Sequence, residues 1–341
     1  MSLFDLPPIW MAPMAGEASS AALVAAVSAG GGFGQLGAAY LTPARITEIA
    51  ADIRARTDQP FGINLFCPQP WLRDDSALDA YLARLAAWHS ELGLPAPARP
   101  ERFEEDFDTQ LEATIAAHPA VISFAMGDPG VARVAALKAQ GFTVLGTATQ
   151  VAEGLLLQAS GVDAVIAQGY EGGGHRGGFL GSAEGALIGT MALVPQLVDA
   201  LDVPVIAAGG IADARGVAAA QALGASAVTV GTAFLLVDEC PLSPPYRAAL
   251  LAASDADSTL TRAFSGRLAR GVANRVTREL EGIVLPAFPQ PNAASRPMRQ
   301  AAARAGRADF ISLWAGQALP VNRAPGSAAQ LVASLAKGWR T

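Results

Sequence analysis

The chain is short of the residues that most often carry metals, cross-links or covalent chemistry. Two cysteines, Cys67 and Cys240, stand far apart in 341 residues. Neither lies in a Cys-x-x-Cys or a Cys/His cluster, which argues against a metal site and against a disulfide framework. Two free thiols suit a reducing compartment, so a cytoplasmic location is expected. Lysine is nearly missing, with only Lys138 and Lys337 present. The formal net charge of −6 comes without a basic cluster, which argues against a nucleic-acid or anionic-membrane partner. No apolar run approaches the length needed to span a bilayer. The first residues, Met1 to Pro8, carry Asp5 and no basic residue before an apolar stretch, unlike a secretory signal.

Apolar residues are abundant, at 51% of the chain, and their arrangement has a rhythm. Short apolar runs predict strands at Pro8–Ala12, Gly34–Ala38, Phe61–Leu65, Val121–Ala125, Thr143–Gly146, Ala164–Ala167, Val205–Ala208 and Ala227–Val230. Most are apolar on both faces, as parallel strands are when helices cover one side and packed side chains fill the other. Ala-rich stretches between them predict helices at Ser19–Ala29, Val131–Gln140, Ala192–Leu201 and Ala214–Leu223. Eight strands alternating with helices give the count of an α/β (β/α)₈ TIM barrel. An open doubly wound sheet is the alternative, because alternation does not reveal closure.

Two stretches interrupt the rhythm. Pro68 to Pro119 is too long for one connection and holds two amphipathic helical stretches, Asp75–Leu92 and Glu104–Ala117, around the Pro-rich Pro95–Pro100. From Cys240 to about Phe310 charge rises and the alternation stops. The expected organisation is a barrel formed by residues 1–239 and 311–341, closed by a helix over Ser327–Lys337. Residues 240–310 would form a small lid inserted after the eighth strand. Arg262, Arg267, Arg270 and Arg275 fall in that lid with Tyr246, and a solvated helix face is the expectation for such charges.

Glycines gather just after the predicted strands, at the barrel end where active sites are built. Gly209 and Gly210 follow the seventh strand, with Asp213 placed to cap the next helix. Gly231 and Thr232 follow the eighth. Loops after strands seven and eight are the usual phosphate site of such barrels, and glycine lets backbone amides approach a phosphate. Tight βα turns are the plainer explanation of one such loop, but two at adjacent positions favour phosphate. Gly-x-Gly-x-x-Gly also occurs at Gly32–Gly37 and Gly172–Gly177, but neither has the strand–turn–helix context of a dinucleotide site.

After the sixth strand runs Gln168-Gly-Tyr-Glu-Gly-Gly-Gly-His175-Arg-Gly. Of the three histidines, His175 alone lies at the mouth, in what reads as a flexible loop. His89 and His118 fall in charged helical stretches and read as solvated surface. His175 would either take a proton from a substrate carbon or prop the loop by hydrogen bonding. Arg176 would hold an anionic substrate or pair with Glu171.

This loop resembles the signature of nitronate monooxygenases. Val203-Pro-Val-Ile-Ala-Ala-Gly-Gly-Ile-Ala-Asp213, Val230-Gly-Thr-Ala-Phe234, Ala12-Pro-Met-Ala-Gly16, Asn64-Leu-Phe66 and Leu313-Trp-Ala-Gly-Gln317 are similar to the same family, in order along nearly the whole chain. The resemblance implies an FMN-containing barrel with a lid domain. By position, Asn64, Gln168, Gly173, Gly174, Gly209, Gly210, Thr229, Gly231 and Thr232 would contact FMN. Ala12, Pro13 and Met14 would run beside the flavin ring, and His175 would be the catalytic histidine. Thr229 departs from the family's usual glutamine and would cost one cofactor hydrogen bond. The implied reaction is oxidation of alkyl nitronates, propionate 3-nitronate among the candidates, by O₂ to a carbonyl compound and nitrite, without a metal. FMN-dependent NAD(P)H reductases of the enoyl-acyl-carrier-protein or quinone type share the barrel and a similar histidine loop, and they are the rival reading. A non-redox sugar-phosphate barrel would want a strand-end lysine or paired carboxylates, which the sequence does not supply. A homodimer is left open.

Overall fold

In the computed structural model, residues 3–16, 18–321 and 326–340 are described. Residues 1–2 of the opening stretch, and 322–325 within the expected second barrel segment, lie outside them. The predicted strands form one parallel sheet: β1 (Ile9–Met11), β2 (Gly34–Gly37), β3 (Phe61–Phe66), β4 (Val121–Ala125), β5 (Thr143–Ala148), β6 (Ala164–Gln168), β8 (Val205–Ala208) and β9 (Ala227–Val230). A two-residue strand, β7 (Gly174–His175), lies outside this sheet. Neighbours follow in the order β1-β9-β8-β6-β5-β4-β3-β2. A parallel bridge between Trp10 and Phe33 joins the two ends, with Phe33 N–H donating to Ile9 O and Met11 N–H to Phe33 O. The sheet is therefore closed, and the open alternative falls.

Alternation along each strand explains the two-sided hydrophobicity. One set of side chains, including Ile9, Met11, Leu36, Ile63, Leu65, Ile122, Phe124, Val165 and Val228, packs against the surrounding helices. The other set points inward, and Trp10, Phe33, Val121, Leu145, Ile166 and Ile206 fill the barrel's base. One or two residues further along the same strands the interior turns polar, with Gln35, Asn64, Ser123, Thr147 and Thr229 all buried. An apolar plug below a polar layer is the arrangement of a packed barrel with a site at its C-terminal mouth.

Capping sets the helix starts. Helix α1 (Ala21–Ala29) begins after Ser20, whose hydroxyl accepts from Leu23 N–H. The predicted Glu104–Ala117 stretch is helical only as α4 (Phe107–Ala116), because Asp106 holds an extended conformation and accepts from Thr109 N–H. Asp213 caps α8 (Ala214–Ala222), accepting from Arg215 and Gly216 N–H. The last helix, α13 (Ala328–Ala336), packs against α1 and α8 and completes the outer ring. One capping carboxylate belongs to the barrel itself: Glu153, fully buried near the start of α6 (Val151–Ala159), accepts from Thr149 N–H and Oγ1–H and from Leu180 N–H. It ties the loop after β7 to the end of β5.

Residues 244–310 hold helix α9 (Pro244–Ala252), strands β10 (Ser258–Thr261) and β11 (Ala269–Val272), and helices α10 (Arg275–Glu279), α11 (Gln290–Ala294) and α12 (Arg296–Arg304). Strand β11 pairs antiparallel with both β10 and β7. His175 is thus strand-paired with Ala269, which corrects the reading of its segment as a flexible loop. Backbone hydrogen bonds to a second strand fix what glycine richness alone suggested was mobile.

Candidate active site

The loops after β1, β6, β8 and β9 meet over the polar layer, and their glycines mark where backbones touch. Gly209 (φ +99°) and Gly210 (φ +72°) adopt left-handed backbone that favours glycine. A Cβ on Gly209 would stand 3.0 Å from Gly169 O and from Gly172 N. A Cβ on Gly173 would stand 2.6 Å from Gly316 N, so the 313–317 segment lies directly on the histidine loop. Thr232 Oγ1 accepts from Gly316 N–H at 2.8 Å, which fastens the same segment to the end of β9. Ala12 N–H donates to Val230 O, and the Met14 amide donates to Ser19 Oγ at 2.8 Å, so residues 12–14 are held between β9 and the residues leading into α1. Pro13 lies between these two anchors.

Gly231 differs from its neighbours. Its φ is −103°, open to any residue, and a Cβ there would find nothing in the protein nearer than Ala12 Cβ at 3.5 Å. It follows Thr229 at the strand period of two, so that Cβ points inward, over the barrel mouth. The amide N–H groups of Gly210, Gly231 and Thr232 meet no protein acceptor among the described residues. Thr229 Oγ1 is buried and unpartnered just below, as is Gln35 Oε1. Buried polar atoms are rarely left so. Free amides, an open position over the mouth and an orphaned hydroxyl together fit a phosphate-bearing flavin.

The side chains of the sequence's other flavin candidates are partly spent within the protein. Asn64 donates through Nδ2 to Ser123 O and Oγ. Gln168 donates to His175 O and accepts from Gly177 N–H at 2.7 Å, bracing the histidine loop from inside. Gly174 (φ +73°) is the first residue of β7 and pairs with Arg270.

His175 is ringed by Phe66, Phe288 and Trp314 at centroid distances of 6.4, 5.8 and 5.4 Å. Its Nε2 lies 2.8 Å from Ser265 Oγ, which has Arg267 O as a second acceptor at 3.2 Å. From this network we assign Nε2 as the protonated nitrogen, with Ser265 passing its own hydrogen to Arg267 O; Nδ1 then keeps its lone pair. Burial, with the charges of Arg267 and Arg299 acting in the same direction, pulls the His175 pKa down to about 3. The imidazole is therefore neutral at working pH. Tyr40 lies nearby, edge-on to Phe66, its hydroxyl buried and unpartnered and its pKa pushed up to about 12 by burial.

Arg267 and Arg299 both act electrostatically on this group, and Arg267 in turn feels the charge of Glu153. Arg267 donates to Arg176 O, and Arg299 donates to Asn292 O and Ser295 Oγ. Arg270 donates to Tyr170 O and Ser258 Oγ and lies over the Tyr170 ring. Among the described residues none of these three makes an ion pair, whereas Arg262 pairs with Glu184 and Arg275 with Glu91 and Glu279. The expected solvated helix face is corrected here: Arg267 sits in the β10–β11 turn and Arg270 is buried on β11. Arg176 neither pairs with Glu171 nor faces a ligand freely, because it donates to Gln168 O, Gly169 O and Ala186 O. Glu171 accepts from Thr190 N–H and Oγ1–H instead. His89 is also corrected, for it is buried on α3 (Asp75–Glu91) with Nδ1 against Pro95 O.

Tyr40, Ser265, Phe288 and Arg299 were not legible as site residues. Tyr40 stands three residues past β2 and could have been found by the rule that located the glycines. The other three arrive from the segment after β9 through contacts of long sequence separation, for which local pattern carries no signal.

A closed barrel with these loops over its mouth, matched along its length to relatives with oxidative chemistry, belongs to the class of flavin-dependent oxidoreductases. A family model described as nitronate monooxygenase matches residues 1–338, and the chain belongs to that family. It is 38% identical over 314 residues to a probable nitronate monooxygenase of Staphylococcus aureus strain Newman, spanning 91% of this chain and 88% of that one. The solved nitroalkane oxidase of Streptomyces ansochromogenes superposes with a TM-score of 0.93 at 39% identity, covering 98% of this chain and 97% of that one. FabK of Thermotoga maritima gives 0.74 at 29% identity, covering 98% and 94%. No helix among the described residues is long and apolar enough to cross a membrane.

Proposed function

We propose that the protein uses FMN and O₂ to oxidise alkyl nitronates, propionate 3-nitronate among them, to carbonyl compounds and nitrite. The observation that carries this reading is a buried, neutral His175 in the electrostatic field of Arg267 and Arg299, neither of which makes a salt bridge among the described residues. Such a site favours an anion that arrives already deprotonated. A neutral imidazole with a strongly lowered pKa is a poor proton acceptor, so substrates that must first lose a C–H proton are the slower class. Arg267 and Arg299 would attract the nitronate, His175 would orient it, and Phe66, Phe288 and Trp314 would keep water away. Bound FMN supplies the electron-accepting capacity, and the unpartnered amides of Gly210, Gly231 and Thr232 would hold its phosphate. Residues 240–310 act as the lid that brings Arg267, Arg299 and Phe288 over the barrel. The reaction would take place in the cytoplasm, where Cys67 and Cys240 stay reduced.

FabK's likeness keeps an NAD(P)H-dependent reductase as the second reading. An aerobic assay separates the two. With ethyl nitronate the flavin-loaded protein is expected to consume O₂ and release nitrite, while NADH and NADPH are oxidised no faster than without enzyme. Rapid NAD(P)H oxidation with an inert nitronate would overturn the assignment.

A further inference from the structure

A second cavity, of about 470 Å³, opens beside His175 between the ends of β2, β3 and β4, the 102–108 segment and the turn before α11. It belongs to none of the loops that approach the flavin position. Its walls are aromatic: Tyr40, Phe66, Trp71, Phe103, Phe107 and Phe288 all line it. Phe66 and Phe288 are shared, since each also packs against the His175 ring, so the cavity adjoins the histidine across these two side chains. The inner polar groups are uncharged. Cys67 lines the wall with its thiol pushed up to about 12 by burial, and Tyr40 keeps its proton.

The charges at the outer rim are already engaged with one another. Glu105 pairs with Arg102 at 2.9 Å and Asp108 with Arg133 at 3.2 Å. Glu104 accepts from Trp71 Nε1–H, and Asp106 caps α4. Four acids against two arginines leave the rim net negative, so it repels a second negative charge on an incoming molecule. The end away from Phe66 and Phe288 is thus aromatic and mildly acidic.

We propose that this cavity is a subsite for the uncharged tail of the substrate, a linear alkyl or aryl chain of about four to six carbons, whose anionic head lies at His175, beyond the shared walls Phe66 and Phe288. The proposal rests on the nitronate reading for the identity of the head group, but not for the tail. It makes the preferred substrate larger than a two-carbon nitronate and singly charged.

Straight-chain carboxylates serve as unreactive probes, because a carboxylate copies the planar anionic head. Titration of the flavin-loaded protein, followed by the flavin absorbance, is expected to show tighter binding from acetate to hexanoate, by about fourfold per methylene. Adipate, with a second charge at the tail, is expected to lose at least tenfold relative to hexanoate. Ala39→Leu, which fills the cavity, and Trp71→Ala, which removes its outer wall, are both expected to flatten the series and to leave acetate unchanged within about twofold. A flat series in the unaltered protein, adipate binding as well as hexanoate, or a rising series that both variants preserve would overturn the proposal. In parallel, kcat/KM for hexyl nitronate is expected to exceed that for ethyl nitronate at least tenfold. A rising carboxylate series without nitronate turnover would remove the nitronate reading and leave the subsite standing. Turnover with a flat carboxylate series would do the reverse.

Discussion

Replacing Gly231 with valine is expected to give a folded protein that purifies without flavin. Gly231 has an ordinary negative φ, so valine meets no backbone strain, and its Cβ would have only Ala12 Cβ near it, at van der Waals distance. Nothing in the protein opposes a Cβ at this position. A ligand held by the amides of Gly231 and Thr232 would oppose it, because overpacking a filled site costs about 1–3 kcal/mol, or roughly 5- to 150-fold in affinity. The thermal midpoint measured after flavin removal should match that of the unaltered apoprotein. Gly209→Val is the contrasting variant: there the new Cβ meets Gly169 O and Gly172 N at 3.0 Å in a left-handed backbone, so fold and flavin should fail together. A yellow Gly231→Val protein with full flavin content would show that the phosphate lies elsewhere.

His175→Asn is expected to lower the already slow kcat/KM for neutral nitroalkanes by up to about 10²-fold, the low end for a positioned base, because the lowered pKa weakens the imidazole as a proton acceptor. For preformed nitronates the loss should stay within about tenfold, since no proton has to leave carbon. The pH profile sharpens the distinction. A pKa held down to about 3 means that the His175 imidazole is uncharged above roughly pH 4, keeping only its Nε2 proton, whereas an unperturbed histidine would titrate near 6.5. The nitronate profile should accordingly run flat from pH 5 to 9. A step near pH 6.5 that disappears in His175→Asn would show an imidazole far less shielded than its burial beside Arg267 and Arg299 requires.

The barrel was legible almost to the residue. Val121–Ala125, Val205–Ala208 and Ala227–Val230 coincide with β4, β8 and β9, because strands buried on both faces leave continuous apolar runs bounded by glycine and polar residues. Closure was not legible, for it rests on a single bridge between Trp10 and Phe33. The phosphate loops were visible because left-handed backbone and close approach demand glycine locally, as at Gly209 and Gly210. The surroundings of His175 were not. Ser265, Arg267, Phe288 and Arg299 reach it from residues at least 90 positions away in sequence, and the pairing of Ala269 with His175 has no counterpart in local pattern. Misreading Arg270 as solvated and His175 as mobile has that common cause.

The most direct test of the central claim is the visible spectrum of purified protein mixed with hexyl nitronate, a singly charged alkyl nitronate, in the absence of O₂. The account predicts a yellow protein whose flavin absorbance changes on mixing and returns when air is admitted, with nitrite released. A flavin spectrum unmoved by the nitronate but bleached by NADH or NADPH would contradict it and place the protein among the reductases.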